Sequence, residues 1–193
     1  MTTTDPIKDV FQVRAELYAP SRFLPKAYEL FRTRALATDV LAQQCWLCVV
    51  AIARLHALTA ASETVPRVGI IGGGHMGCAV AMALLTHEYP PENIVLSTRQ
   101  PEREPKCDAL ATPASRALFQ TITRLYDNAR VSRESDVLIL CVPPSQLKSV
   151  AIQIKHALGV LHSRCVVVSL LCGITVETLQ KACGTRLVLR TVE

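Results

Sequence analysis

The sequence has few aromatic residues and few charged residues. Of its 193 residues, 5% are aromatic and 19% are charged, and the formal net charge is +5. It contains no run of five or more like charges, which is the pattern of nucleic-acid-binding tails. Half of the residues are apolar, so we expect a folded domain with a buried core and no nucleic-acid partner.

Targeting signals are also missing from the sequence. Residues 1–5 contain neither a basic nor an apolar region, and no Asn-x-Ser/Thr acceptor occurs. The most apolar stretch without a charge covers residues 40–53, which is shorter than the roughly 20 residues that a helix needs to cross a bilayer. We therefore expect a cytoplasmic protein that does not bind membranes.

The eight cysteines and five histidines show no spacing typical of a metal site. Cys45-Trp46-Leu47-Cys48 fits the C-x-x-C pattern, but it lies in the middle of a predicted helix and no second pair accompanies it. Without a secretory signal, reduced and mostly buried thiols are expected. The sequence therefore predicts neither a disulfide framework nor a metal.

Two regions of different composition follow one another along the chain. Residues 1–65 are rich in Ala, Leu and Arg and contain almost no Gly, so we interpret them as a helical N-terminal extension. Residues 66–193 alternate short β-branched runs with helical stretches, which is typical of βαβ units. One stripe at helical spacing predicts that the extension packs against something; it comprises Leu41, Cys45, Cys48, Ile52 and Leu55.

The second region predicts a Rossmann-type α/β fold with a doubly wound parallel sheet of about six strands. Continuous apolar runs indicate strands that are buried on both faces. Three prolines within residues 100–121 predict a short or broken helix there. The expected strands are 68–71, 94–97, 122–126, 137–142, 166–171 and 186–189, and the other expected helices are 76–87, 145–161 and 175–182.

A glycine-rich turn between the first strand and the first helix satisfies G-x-G-x-x-G. Gly72 permits the tight turn, Gly74 lets a pyrophosphate approach the backbone, and Gly77 permits close packing of helix on strand. The helix N-terminus offers free N–H groups to the phosphates. The turn reads Gly72-Gly73-Gly74-His75-Met76-Gly77, and we expect His75 and Met76 to contribute backbone donors and shape rather than acid–base chemistry.

The end of the second strand indicates which dinucleotide binds. Sites that prefer NAD place an acidic side chain there for the ribose 2′-OH, whereas this sequence has Ser97-Thr98-Arg99. A guanidinium and two hydroxyls suit a 2′-phosphate, which a carboxylate would repel. NADP(H) is therefore the predicted cofactor, although Arg99 is also compatible with a solvated loop residue.

These features and several further segments resemble pyrroline-5-carboxylate reductase over about residues 66–190. The resemblance implies that Asn128 reaches the adenosine side of the cofactor. It also implies that two segments line the nicotinamide half. The matching segments are 68–84, 97–99, 127–128, 135–146 and 169–179, and the implied nicotinamide-side residues are Cys141, Val142, Pro143, Pro144, Leu171 and Cys172.

The sequence departs from the family pattern at two places. The loop after strand four usually carries a Lys where this sequence has Pro143, which cannot donate a hydrogen bond. Family reductases also continue into a helical C-terminal domain that forms the substrate pocket and the dimer; the sequence ends at residue 193, so we expect that domain to be absent from this chain. We therefore expect homo-oligomers only if that domain is present.

The resemblance implies an NADP(H)-dependent oxidoreductase that transfers hydride to or from a C=N or C=O group of a small-molecule substrate. No catalytic side chain is assigned. One alternative is a regulatory module or truncated isoform that binds NADP without turnover. Another is a dehydrogenase that shares this first domain and acts on a hydroxyacid or sugar acid.

Overall fold

The computed structural model describes residues 25–60, 64–159 and 164–191. Residues 1–24 and 61–63 of the expected extension, and residues 160–161 of one expected helix, lie outside the described residues. The helices are α1 (Pro25–Ala60), α2 (His75–Thr86), α3 (Pro113–Phe119), α4 (Asn128–Arg133), α5 (Leu147–Gly159) and α6 (Val176–Cys183). The strands are β1 (Val68–Ile71), β2 (Ile94–Ser97), β3 (Thr123–Leu125), β4 (Val137–Leu140), β5 (Val166–Ser169) and β6 (Val188–Arg190).

The strands described form one parallel sheet in the order β3-β2-β1-β4-β5-β6. Val68 of β1 pairs with Ile94 of β2 on one side and with Val137 of β4 on the other. The direction of winding reverses between β1 and β4, and open sheets of this kind bind ligands at that point. The predicted fold class, a doubly wound parallel sheet preceded by a helix, is confirmed.

Both faces of the central strands are buried, as the continuous apolar runs predicted. Every residue of β1, β2 and β4 is buried. On one face, Ile70 and Ile139 belong to a core that includes residues of α1, α2 and α3. On the other face, Ile71 and Leu140 belong to a core that includes residues of α4, α5 and α6.

Helix α1 is part of the first of these cores. Because the crossover helices α5 and α6 cover β4 and β5 on one face only, the opposite face of these strands needs a separate cover. Helix α1 contacts β4, β5 and the neighbouring helix α2. Among the side chains of α1 that the structure describes, the buried ones are Ala42, Cys45, Val49 and Ile52.

The predicted stripe on α1 is correct at Cys45 and Ile52, which are buried, and Leu41 and Cys48 pack partly against the core. The prediction is wrong at Leu55, whose side chain is 58% exposed and does not pack in the core. The sheet surface accepts a narrower stripe at spacings of three and four residues, which includes Ala42 and Val49.

Helix α1 has 36 residues and is much longer than the uncharged stretch 40–53, which the sequence analysis treated as too short to cross a bilayer. Between Thr33 and Thr59 the helix reaches a mean hydropathy of 1.6 over an 18-residue window, and 22% of that window is buried in the domain. By length and composition this helix could cross a bilayer, so the expectation that the segment is too short is wrong. Its buried face against the sheet equally fits the core helix of a folded domain.

Several element boundaries differ from the sequence-based expectation. Strand β4 ends at Leu140, although the Cys141 N–H still donates to the Ile71 carbonyl over 2.8 Å. Helix α5 begins at Leu147 because Pro144–Gln146 forms a short 3₁₀ helix first. Helix α4 is not among the predicted elements; the Asp127 side chain caps it by accepting from the Arg130 N–H.

The entry into β1 is held by a buried tyrosine. The Tyr89 hydroxyl donates to the Pro66 carbonyl over 2.6 Å, and burial, assisted by Asp136, raises the pKa of Tyr89 to about 12. The neutral phenol is favoured in the folded state, so this stabilisation holds below about pH 10 and is lost as the pH rises toward 12.

Replacing Tyr89 by Phe should lower the free energy of unfolding by about 1–3 kcal/mol, because the buried Pro66 carbonyl loses its donor. Urea denaturation at neutral pH measures the effect. The control is Tyr126→Phe, since Tyr126 is 70% exposed. Equal stability of the Tyr89→Phe variant and the parent would show that this hydrogen bond does not stabilise the fold.

Candidate functional site

A crevice of about 700 Å³ opens at the carboxyl ends of β1 and β4, whose following helices α2 and α5 pack on opposite faces of the sheet. The glycine turn, the end of β2 and the segment after β4 form its walls. Its lining residues are Ile71, Gly72, Gly73, Gly74, Ser97, Thr98, Arg99, Tyr126, Asn128, Cys141, Val142, Pro143, Gln146, Ser149, Val150 and Gln153.

Gly72 makes the turn out of β1. Its φ of 112° lies in a region that side-chain-bearing residues rarely adopt. A Cβ at this position would lie 2.8 Å from the Cys141 carbonyl oxygen. Its N–H donates to the Ser97 carbonyl over 3.1 Å, which fixes the turn to the end of β2. The predicted role of Gly72 in a tight turn agrees with this geometry.

Gly74 and Gly77 differ in what surrounds them. A Cβ on Gly77 would lie 1.8 Å from the Gly72 carbonyl oxygen, so only glycine permits α2 to pack this closely against the strand end. A Cβ on Gly74 would meet no protein atom within 4 Å. Gly74 is the N-cap of α2 and has no side chain, so the first N–H groups of this helix receive no side-chain cap.

A chain of hydrogen bonds joins β2, α4 and α5 at one side of the crevice. The buried Ser97 hydroxyl donates to Asn128 Oδ1, and Asn128 Nδ2 donates to Gln153 Oε1 over 2.8 Å. The Ser97 hydroxyl hydrogen is therefore used inside the protein, and its oxygen can only accept from a ligand. The sequence predicted that the Ser97 hydroxyl donates to a phosphate. In this arrangement the hydroxyl can accept a hydrogen bond from a ligand but cannot donate one.

Thr98 and Arg99 continue from β2 along the rim. The Thr98 N–H donates to the Leu125 carbonyl over 2.8 Å, and the Thr98 side chain lies so close to Gly73 that a Cβ there would be 2.6 Å from it. Arg99 is exposed. Among the described residues that line the crevice, Arg99 is the only charged one.

Cys141, Val142 and Pro143 form the opposite wall, as the resemblance implied. Burial raises the pKa of the Cys141 thiol well above its usual value, and Cys45 raises it further. The thiol is therefore protonated at neutral pH. Pro143 lies directly before the short 3₁₀ helix and offers neither an N–H nor a polar side chain to the crevice.

Six of the predicted site residues do not line this crevice. His75 lies beside a separate cavity of about 140 Å³, together with Arg34, Asp39 and Asp108. Leu171 is 1% exposed within the core below the strand ends. The structure also places the remaining four away from the crevice lining: Met76, Gly77, Pro144 and Cys172.

Sequence reasoning missed the contribution of α5 and of the residue after β3. Ser149, Val150 and Gln153 lie at one face of α5, and Val150 is also buried against the core. Their spacing of three and four residues was a usable signal, because the helix that follows β4 begins at the crevice. The lining residues not predicted are Ile71, Tyr126, Gln146, Ser149, Val150 and Gln153.

This arrangement of turn, sheet and crevice matches a known family over residues 67–173, which is more than half of the chain. The family is described as NADP oxidoreductase, coenzyme F420-dependent. The chain belongs to this family. The family description names NADP, which is the cofactor predicted from the sequence.

Individual relatives of the chain support its resemblance to pyrroline-5-carboxylate reductase. The chain is 33% identical over 124 residues to the mouse NADP-dependent oxidoreductase domain-containing protein 1, covering 64% of this chain and 30% of that protein. It is 34% identical over 125 residues to the pyrroline-5-carboxylate reductase of Methanosarcina acetivorans, covering 63% of this chain and 42% of the relative. The chain thus spans less than half the length of these relatives.

A comparison with a solved structure supports the fold of the chain. The pyrroline-5-carboxylate reductase of Coxiella burnetii superposes with a TM-score of 0.52 at 24% identity. The match covers 66% of this chain and 43% of that structure. The matched part of the chain therefore has the same fold as the corresponding part of that enzyme.

Proposed function

We propose that the crevice binds NADP(H) and that the chain is the cofactor-binding part of an oxidoreductase of the pyrroline-5-carboxylate reductase type. The observation that carries the proposal is the open space at Gly74. The N–H groups at the start of α2 receive no side-chain cap, and Arg99 is the only charged residue among the described residues that line the crevice.

The pyrophosphate would lie against the glycine turn. Uncapped N–H groups at a helix N-terminus bind anions through hydrogen bonds and through the positive end of the helix dipole. Gly73 and Gly74 line the crevice, and Gly74 leaves room for a phosphate oxygen to approach the backbone. These residues therefore fit the group that the family implies.

The 2′-phosphate would lie at the end of β2. Arg99 can pair with a phosphate through two parallel N–H···O bonds, and the Thr98 hydroxyl can donate another. No carboxylate lies among the described lining residues, so nothing there repels a phosphate or accepts from a free ribose 2′-OH. This charge pattern favours NADP(H) over NAD(H).

The nicotinamide ring would lie beside the wall formed by Cys141, Val142 and Pro143. The bound cofactor supplies the hydride, and the protein orients the ring. Reduction of a C=N group also needs a proton. The described residues that line the crevice include no histidine, lysine or carboxylate, and the Cys141 thiol has a raised pKa. We propose that the proton donor and the substrate pocket lie outside the residues described here.

The second candidate is a protein that binds NADP(H) without turnover. Pro143 favours it, because this position contributes no donor to the nicotinamide side of the crevice.

Pyrroline-type C=N compounds are the substrate class to assay first, and C=O compounds the second. A cytoplasmic location, a small-molecule substrate, the absence of nucleic-acid and membrane partners, and the division at residue 65 stay predictions.

The cofactor proposal is tested by titrating the chain with NADPH and with NADH while following nicotinamide fluorescence. We expect tighter binding of NADPH, because the Arg99 guanidinium pairs with the 2′-phosphate that NADH lacks. Equal binding of both, or binding of neither, would contradict the proposal. Adding a cyclic imine to the NADPH complex then separates the candidates: oxidation of NADPH supports an enzyme, and stable binding without oxidation supports a binding module.

A further inference from the structure

Helix α1 has a second apolar side, which no other described part of the chain covers. Cys45 and Val49 are fully buried and turn one side of the helix toward the core. Because successive residues of a helix are rotated by about 100°, another stripe of α1 lies on the opposite side. Its five large side chains are between 47% and 82% exposed. This outer face consists of Leu36, Val40, Leu47, Ala51, Leu55 and Leu58.

The outer face is long enough to be an interaction surface. From Leu36 to Leu58 it extends over about 33 Å at the helical rise of about 1.5 Å per residue. Soluble proteins that stay monomeric rarely expose a continuous apolar surface of this extent. The residues of the outer face do not line the crevice. The outer face is therefore a surface separate from the proposed cofactor site.

Two opposite charges accompany the outer face. Arg54 lies within the stripe, two turns after Leu47, and Asp39 lies at one edge of the stripe beside Val40. Both are exposed, and neither takes part in an ion pair among the described residues. Covering a charge without a partner costs free energy. The surface that covers this face must therefore supply a negative group for Arg54 and a positive group for Asp39.

The outer face is complementary to a second copy of itself. Leu36 and Leu58 lie at equal separations from Leu47, 11 residues before it and 11 residues after it. When two such helices pair in opposite directions, with Leu47 on the twofold axis, Leu36 of each copy faces Leu58 of the other. Leu47 then faces Leu47 of the other copy. The same contacts occur twice, as a twofold interface requires.

The charges agree with this antiparallel pairing. Val40 and Arg54 also lie at equal separations from Leu47, 7 residues on either side. The Arg54 side chain therefore crosses Val40 of the second copy and reaches Asp39 beside it, where the two groups attract each other. A parallel pair would instead place Arg54 beside Arg54 and Asp39 beside Asp39. Repulsion between like charges disfavours that arrangement.

We propose that α1 joins two copies of this chain through their outer faces, in an antiparallel contact centred on Leu47. Burial of the apolar side chains drives association, and two ion pairs between Arg54 and Asp39 fix the direction of pairing. This contact uses residues 36–58 alone and needs no further domain. It does not depend on the proposed binding of NADP(H).

A lipid bilayer is the competing occupant of the outer face, because α1 is long and apolar enough to cross one. Insertion across a bilayer would uncover the core, however, since the opposite side of the helix buries Cys45 and Val49. Adsorption on a bilayer surface would bring Asp39 toward the lipid phosphates, which repel it. The pair of opposite charges therefore favours a second copy of the chain.

The first test is sedimentation equilibrium of the full chain over a range of concentrations. We expect a dimer that dissociates on dilution. Leu47→Glu places two carboxylates against each other at the twofold axis and should raise the dissociation constant of the dimer by about 100-fold or more. The matched control is Ile152→Glu, because Ile152 is 73% exposed on α5 and lies outside the outer face. This control should associate like the parent.

A charge exchange tests whether the ion pairs join two chains. Asp39→Arg and Arg54→Asp should each raise the dissociation constant by about tenfold, because each leaves two contacts between like charges in the dimer. Mixing the two variants in equal amounts should restore association, since every contact then joins opposite charges. An effect within one chain cannot be restored by mixing. Far-UV circular dichroism should show that each variant keeps the helix content of the parent.

Cysteine cross-linking measures the direction of pairing. Under mild oxidation Leu47→Cys should form a disulfide with its own copy, which peptide mapping distinguishes from any disulfide of the native cysteines. Leu36→Cys should form the corresponding disulfide only when it is mixed with Leu58→Cys. Cross-linking of Leu36→Cys to itself would show a parallel pair and overturn the proposed contact.

A chain that stays monomeric at every concentration, a dimer that Leu47→Glu leaves unchanged, or a mixture that does not associate would each overturn the inference. A monomer that binds vesicles of phosphatidylcholine and phosphatidylserine, and loses this binding in Leu47→Glu, would identify a bilayer as the occupant instead. The mixing and cross-linking measurements decide the question even if Leu47→Glu fails to fold. A chain that dimerises but does not bind NADPH would contradict the proposed function alone.

Discussion

Replacing Gly77 by Ala is expected to lower the free energy of unfolding by about 3 kcal/mol or more. The added Cβ would lie 1.8 Å from the Gly72 carbonyl oxygen, which is a backbone atom at the end of β1 and cannot rotate away. Helix α2 must then shift from the strand, and the first N–H groups of the helix shift with it. Urea denaturation followed by the fluorescence of Trp46, the single tryptophan, measures the loss.

Gly74→Ala is the matched control for this prediction. The same methyl group at Gly74 meets no protein atom within 4 Å, and its φ of −86° is available to alanine. We expect the stability of this variant to stay within about 1 kcal/mol of the parent. Its affinity for NADPH should fall by about tenfold or more, because the methyl group occupies space proposed for the pyrophosphate.

The pair of variants therefore separates the structural glycine from the binding glycine. Loss of stability at Gly74, or a Gly77→Ala variant as stable as the parent, would contradict the packing described here. A Gly74→Ala variant that binds NADPH as tightly as the parent would place the pyrophosphate elsewhere.

Arg99→Asp should weaken binding of NADPH by about 100-fold, which corresponds to about 3 kcal/mol, and should leave binding of NADH unchanged or improved. The change removes the charge that we propose pairs with the 2′-phosphate and introduces a carboxylate, which repels that phosphate and can accept from a free 2′-OH. Nicotinamide fluorescence with both cofactors measures the two affinities.

Arg103→Asp is the control for the change in net charge. Arg103 is exposed four positions further along the same segment, donates to Gln100 and does not line the crevice. This variant should keep the parent's preference for NADPH. If both variants lost NADPH binding equally, general electrostatic attraction would explain the preference; if neither did, Arg99 would be a solvated loop residue.

The sequence predicted the glycine turn and the sheet well because both depend on local patterns. Gly77 is required by contacts within one strand–turn–helix unit, and Gly72 by the positive φ of the same turn, and a short motif records both. The strands around β1 and β4 are buried on both faces, and continuous apolar runs predict such strands directly.

Other parts of the site depend on tertiary contacts that a single sequence does not record. Ser97, Asn128 and Gln153 meet through hydrogen bonds between three separate elements; Ser97 and Asn128 were predicted as site residues, but Gln153 was not. Leu171, which the resemblance placed beside the nicotinamide, follows β5 and has its side chain buried in the core.

Helix α1 adds a topological consequence to the fold. Its buried residues lie between Ala42 and Ile52, whereas part of the surface that they cover is formed by β4 and β5, residues 137–169 of the chain. Helix α1 therefore leaves the ribosome well before the strands that it contacts. Closing so long a loop costs entropy before any contact offsets it, so docking of α1 belongs to the late, slow part of folding. Until then its apolar side is exposed in the nascent chain, which makes the timing of synthesis a property that this N-terminal helix imposes on the whole domain.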